Sequence, residues 1–175
     1  MDNNKLFERS RSLFEDGELS SSLESFEQCV SNLAVSKPED ESKYILFLKE
    51  ILEHCRNGDL MEEEARTLRL LGRAHSVFGQ HYESLNYHRE SLAIQRKLGR
   101  KSDFADGLIL LADTLEISGK HEESIESLKT AADIYRELGK LGKAKRVKKD
   151  ITRLKKFSRR MDEDEYFLRK FNIDY

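Results

Sequence analysis

RLLGRAHSVFGQHYESLNYHRESLAIQRKLG, residues 69–99, is followed by ILLADTLEISGKHEESIESLKTAADIYRELG, residues 109–139. At a spacing of forty residues, Gly79 answers to Gly119, His81 to His121, Ser84 to Ser124, and Leu98-Gly99 to Leu138-Gly139. A fixed period of this size with helical patterning inside it is the signature of a stacked helical array. Each copy predicts two helices around a glycine turn. Leu68, Leu71 and Gly72 lead to Phe78-Gly79, then Leu85, Leu92, Ile94 and Leu98 follow; the next copy repeats this with Leu108, Leu111, Ala112 and Leu115, then Ile125, Leu128, Ala131, Ala132 and Leu138. The small residues Gly72 and Ala112, and the serines five places after each turn glycine, are suited to helices that approach closely.

Working outward, residues 3–15 carry Leu6, Leu13 and Phe14 at helical spacing and close at Asp16-Gly17. A second helix from Glu18 to Leu33 completes a hairpin. Ser36-Lys37-Pro38-Glu39-Asp40 holds the only proline and reads as the clearest break in the chain. A further helix over about 41–56 has a rich apolar face (Tyr44, Ile45, Leu48, Ile51, Leu52, Cys55) but no clear twin elsewhere. After Gly139, residues 141–160 read as a terminal helix resting on Val147, Ile151, Leu154 and Phe157, the cap that the last repeat of an array needs. An acidic and aromatic tail, 161–175, ends the sequence.

The 175 residues are 38% hydrophobic and 37% charged, polar but foldable, as in elongated arrays whose layers touch only their neighbours. No stretch approaches the roughly 18 apolar residues of a membrane span, and MDNNKLFERS lacks the pattern of a secretion signal. Cys29 and Cys55 are expected as buried thiols in a reducing compartment. The expected setting is cytoplasmic, with the cell cortex or nucleus as further possibilities. A net charge of −2 conceals an asymmetry: residues 1–64 carry −9, residues 65–139 balance, and residues 140–175 carry +7.

The turn and small-residue offsets resemble the tetratricopeptide repeat: well over 65–139, weakly over 3–36, where Arg9-Ser10 stands in place of the usual leucine and small residue. The forty-residue period and segments such as YHRESLAIQRKLG are most similar to the LGN/Pins group of adaptors, although Leu70-Leu71-Gly72-Arg73 and Leu110-Leu111-Ala112-Asp113 replace that group's Asn-Leu-Gly-Asn. The resemblance implies an all-α, right-handed superhelical array in one domain, 1–160, with repeats at about 3–36, 65–98 and 105–138, an extra helix at 41–56 and a basic cap at 141–160. It also implies a concave groove lined by the first helix of each pair. Facing it would be Arg66, Arg69, Leu70, Arg73 and Val77; then Asp106, Ile109, Leu110, Asp113 and Glu116; and, from the cap, Arg146, Lys149, Arg153 and Lys156, with Phe7, Arg11 and Phe14 joining from the first hairpin.

No phosphate loop, nucleophile elbow or His-Glu-x-x-His is present, so neither an enzyme nor a metal or other cofactor is expected. The function expected is a protein-binding scaffold or adaptor, in an LGN-like role in polarity or spindle orientation. Its partner peptide would be acidic where it meets Arg66, Arg69 and Arg73, because a guanidinium grips a carboxylate with two hydrogen bonds. The alternative is a nucleic-acid or chromatin-associated factor using the Lys140–Arg160 segment, which has 11 basic residues against a single acid, Asp150.

Overall fold

A computed structural model describes residues 2–33, 35 and 40–171, with side chains through Met161. Among them are eight helices: α1 (Asn3–Glu15), α2 (Leu19–Leu33), α3 (Ser42–Asn57), α4 (Met61–Val77), α5 (His81–Lys97), α6 (Lys101–Ile117), α7 (His121–Glu137) and α8 (Leu141–Phe171). The described residues contain no strand. The proline of the predicted break lies outside the described residues, as do the side chains of most of the tail. The tail's backbone continues α8 to Phe171.

One turn recurs at six links between the described helices. After α4, the N–H of Gly79 bonds the Ser76 carbonyl at 3.1 Å and the N–H of Gln80 reaches the His75 carbonyl at 2.8 Å. This pair of bonds satisfies carbonyls that a helix end leaves without partners, and it requires a left-handed residue at the first position after the helix. Gly79 provides that with φ 78°. The same bond over five residues recurs from Glu18 to Leu13, Arg100 to Gln95, Lys120 to Leu115 and Lys140 to Tyr135. Between α3 and α4 it runs from Leu60 to Cys55 at 2.9 Å, with Asp59 in the left-handed position at φ 53°. The helix without a sequence twin thus enters α4 through the same turn as its neighbours. Its signature is hidden because an aspartate holds the place of glycine.

The hairpins close on small residues. Ser124 Oγ donates to the Ala112 carbonyl at 2.8 Å. In the first pair Ser22 Oγ donates to the Ser10 carbonyl at 2.7 Å and Ser10 Oγ to the Ser22 carbonyl at 2.8 Å. Ser10, fully buried, therefore acts as the small residue that the first hairpin seemed to lack. In the α4–α5 pair the close approach is Gly72 against His88: a Cβ on Gly72 would lie 2.6 Å from the imidazole.

The core falls into two clusters that meet across α5. One spans α1 to α4 and is aromatic: Phe7 packs edge-on to Tyr44 and Phe47 at centroid distances of 5.0 and 5.6 Å, and Phe26 approaches Phe47 at 5.7 Å. These rings fasten α3 over the first hairpin. The other spans α5 to α8 and is aliphatic, built from Leu92, Leu108, Leu115, Leu128, Val147 and Leu154 with Tyr135. Cys29 and Cys55 are buried free thiols in the first cluster, and burial pushes both pKa values up to about 11, which leaves them unreactive.

Gly72→Ala should destabilise the protein by about 2 kcal/mol in urea unfolding. The clash with a caged imidazole outweighs the roughly 1 kcal/mol that alanine gains as a helix former. His88 is 2% exposed; burial first, then the charges of Arg73 and Arg69, lower its pKa from 6.5 to about 4. The folded pKa is depressed, so this stability is complete above pH 6.5 and is lost as pH falls towards 4. A midpoint-versus-pH series should show that fall in the native sequence and a shallower one in His88→Gln.

Candidate functional site

The predicted groove residues lie on α4, α6 and α8, but much of their charge is already partnered within the chain. Glu27 of α2 is the centre of the first group. Its carboxylate lies 3.5 Å from Arg66 Nη2 and 3.3 Å from Arg73 Nη1. Arg73 also donates from Nη2 to Ser31 Oγ at 2.9 Å. Burial lowers the Arg73 pKa and Glu27 opposes that fall, as expected for a guanidinium held between helices with one carboxylate at hand. Arg69, between these two along α4, is half-buried and has no ion pair among the described residues.

On α6, Asp106 accepts from the Tyr135 hydroxyl at 2.5 Å and from Lys143 Nζ at 2.8 Å. Burial alone would raise the Asp106 pKa, but these two donors bring it below the ordinary carboxylate value. Tyr135 rises in exchange, through burial and then its bond to Asp106. About three turns further along α6, Glu116 takes both arms of Arg153, Nη1 at 2.7 Å and Nη2 at 2.8 Å. That bidentate bond is the main reason its pKa is lowered. These links bind α8 to α6 along the inner face.

Asp113 differs. It has no hydrogen bond or ion pair among the described residues, and its pKa is pushed up to about 6, by burial first and then by the charges of Glu116 and Asp150. The residue is exposed, in an open depression bordered by Ile117, His121, Phe157 and Met161. Arg146, Lys149 and Lys156 are exposed on α8 and form no ion pair among the described residues.

The apolar members of the predicted groove need correction. Leu70 is fully buried in the N-terminal core and Phe7 is 4% exposed within the aromatic cluster, so neither offers surface to a ligand. Val77, Phe14 and Ile109 are half-buried against the two cores, and Leu110 is half-buried on α6. Arg11 pairs within its own helix with Glu15 at 3.6 Å. Leu70 packs inward because α2 and α3 cover the side of α4 that an ordinary two-helix layer leaves open.

Glu27, Ser31 and Tyr135 were invisible to a reading that took only the first helix of each pair, since all three sit on second helices. A glutamate on α2 facing arginines on α4 leaves no local pattern. Between α4 and the ends of α5 and α6 there is also a cavity of about 330 Å³ containing Arg66, Arg69 and Gln95. No group of His, Cys, Asp and Glu among the described residues is arranged to hold a metal ion.

Residues 63–137, α4 to α7, match the tetratricopeptide repeat family. No curated protein matches the sequence. Among solved structures, a Rap protein complexed with Competence and Sporulation Factor is similar at 13% identity and a TM-score of 0.61, over 90% of this chain and 49% of that one. RapI in its apo form is similar at 13% identity and a TM-score of 0.50, over 97% and 69% of the two chains. The nearly identical repeats of a putative kinesin light chain from Podosopora anserina align at 17% identity and a TM-score of 0.39, over 90% and 96%. The chain thus spans about half the length of the first of these structures. The repeat match and the fold shared with the Rap proteins support a tetratricopeptide-repeat protein, a superhelix of stacked helical pairs.

Proposed function

We propose that this protein is an interaction scaffold that holds a segment of a partner protein along the inner face of α4, α6 and α8. The observation that carries the reading is the pair Arg69 and Asp113. Among the described residues neither has an ion pair, as is also true of the exposed Arg146, Lys149 and Lys156 of α8, whereas Arg66, Arg73, Asp106, Glu116 and Arg153 all have partners. A bound segment with an acid opposite Arg69 and a base opposite Asp113 would complete both. Arg66 and Arg73 accept a further acid only by sharing or releasing Glu27. The Rap structure complexed with Competence and Sporulation Factor is a precedent in a related fold for a chain that holds another molecule.

In this reading residues 1–160 act as one domain and 161–175 as an appendage. An adaptor role of the LGN/Pins type, in polarity or spindle orientation at the cell cortex, rests on the forty-residue spacing and the YHRESLAIQRKLG segment. No described helix is long and apolar enough to cross a membrane. The alternative, nucleic-acid binding through α8, draws on the exposed lysines Lys148, Lys149, Lys155 and Lys156.

Affinity capture with Arg69→Glu should lose the proteins retained by the native chain, with a fall in affinity of about tenfold or more. Glu27→Gln, which frees two guanidinia, should strengthen capture of acidic segments. Neutralising Lys148, Lys149, Lys155 and Lys156 together should leave the retained set unchanged. If that variant alone loses its partners, the alternative replaces this reading.

Asp113 gives a second test. Its folded pKa is raised, so its contribution to stability is greatest below its ordinary value near 4 and falls as pH rises through about 6. Asp113→Asn should therefore stabilise the protein at pH 7.5 and not at pH 4. The gain should stay within about 1 kcal/mol, because water reaches the carboxylate. A base on the bound segment should lower the Asp113 pKa, measurable by NMR titration with and without partner.

A further inference from the structure

The repeat predicts a place for one more helix. In the last full layer, Leu108, Leu111 and Leu115 of α6 share a core with Leu128 and Tyr135 of α7. Forty residues on, the matching positions of α8 are Lys148, Ile151 and Lys155. α8 is the last described helix, so no described helix follows to cover them. A groove of about 490 Å³ lies there, between α7 and α8. Its floor is apolar: Ala132, Ala144 and Ile151, with Leu141 at 67% exposure. A helix that only closed the array against water would be polar on this side.

The rim of the groove is basic. Lys129 and Arg136 of α7 are answered on their own helix by Glu126 and Asp133. Lys145, Lys148 and Lys155 line the α8 side, and none of them has an ion pair among the described residues. The groove therefore fits a helix with apolar residues towards the floor and acids along its edge. A nucleic-acid backbone would answer the lysines and leave the floor unfilled.

We propose that this groove receives residues 162–175 of a second copy, so that two chains exchange tails. That segment, DEDEYFLRKFNIDY, sets four acids in succession before Tyr166, Phe167 and Leu168. The groove's own chain cannot deliver it. α8 runs unbroken to Phe171, and a rise of about 1.5 Å per residue carries Leu168 roughly 25 Å along the axis from Ile151. A second copy can. Lys148, mid-groove, and Leu168, mid-tail, stand equally far in sequence from Ser158. A twofold axis near Ser158 lays each tail antiparallel to α8 of the other copy, the direction that the second helix of a pair takes. Each copy has one groove and one tail, so the contact closes at a dimer. End-to-end pairing through the first helix lacks the charge, since α1 exposes Lys5, Arg9 and Arg11 against Glu8 and Glu15. Exchange of tails does not depend on the scaffold reading.

The test is sedimentation equilibrium of the full chain, which should show monomer and dimer in exchange. Lys148→Glu with Lys155→Glu, both at exposed positions, should weaken dimerisation about tenfold or more. Asp162→Lys with Glu163→Lys and Glu165→Lys should weaken it as much. An equimolar mixture of the two variants should dimerise like the native chain. One of its two contacts is then native, and the other has both signs reversed. Dimerisation of the native chain should also weaken as salt is raised, a reading that stands even if a variant folds poorly. A native chain that stays monomeric up to about 1 mM, or one that grows beyond a dimer, would overturn the proposal. So would a dimer indifferent to salt and to both sets of reversals, or folded variants that the mixture does not rescue.

Discussion

Six links between helices in this chain close on the same pair of backbone bonds, and the architecture follows from that repetition. From α4 to α7 every helix ends on the bond that joins an N–H to the carbonyl five residues earlier, and the next helix starts at a fixed interval behind it. Because 3.6 residues make a turn, a constant helix length sends each helix back with its apolar stripe at the same angle to the last. The layers can then share one continuous core. A link one residue longer would rotate the following helix by about 100° and turn its leucines towards water. The left-handed residue at each link is thus a constraint on the whole array, and Asp59 shows that glycine is only its commonest answer.

Close approach within each hairpin has an electrostatic consequence. Drawing α4 and α5 together at Gly72 cages the His88 ring and places it beside the guanidinia of Arg69 and Arg73. The imidazole remains neutral because it cannot be solvated there, and the same crowding lowers the pKa of Arg73. Glu27 supplies the compensating charge from α2. A contact that packing requires thus dictates which charges on the inner face must be answered from within the chain.

Repeat, period, helix pairs and capping helix were all legible in the sequence, because each rests on residues less than one period apart. Ser84, Ser124, Gly72 and Ala112 announce their roles by spacing alone. Two kinds of information were not legible. The phase of α3 was masked by Asp59, since an aspartate carries no pattern that marks a left-handed turn. The inner face was misjudged at Leu70 because its cover, α2 and α3, comes from an irregular first layer that periodicity cannot predict. Of the predicted charges, Arg69, Asp113, Arg146 and Lys149 have no ion pair among the described residues. Arg66, Arg73, Asp106, Glu116 and Arg153 are paired, with partners 29 to 46 residues away in sequence or on another element.

Internal pairing of this kind raises selectivity and lowers affinity. A ligand acid reaching Arg73 must displace Glu27, and the net gain is the difference between two similar ion pairs rather than the whole of one. On the proposed reading, acids in general would be held weakly, and a segment that also engages the unpaired groups would gain more. Arg69 and Asp113 are two such groups. On the proposed reading they ask for an acid and a base at set positions, a narrower requirement than an acidic stretch. The contrast between an arginine-bearing repeat and a carboxylate-bearing one, so plain in the sequence, is mostly consumed in joining α2 to α4 and α6 to α8. On the proposed reading, recognition falls to the polar groups that have no partner among the described residues.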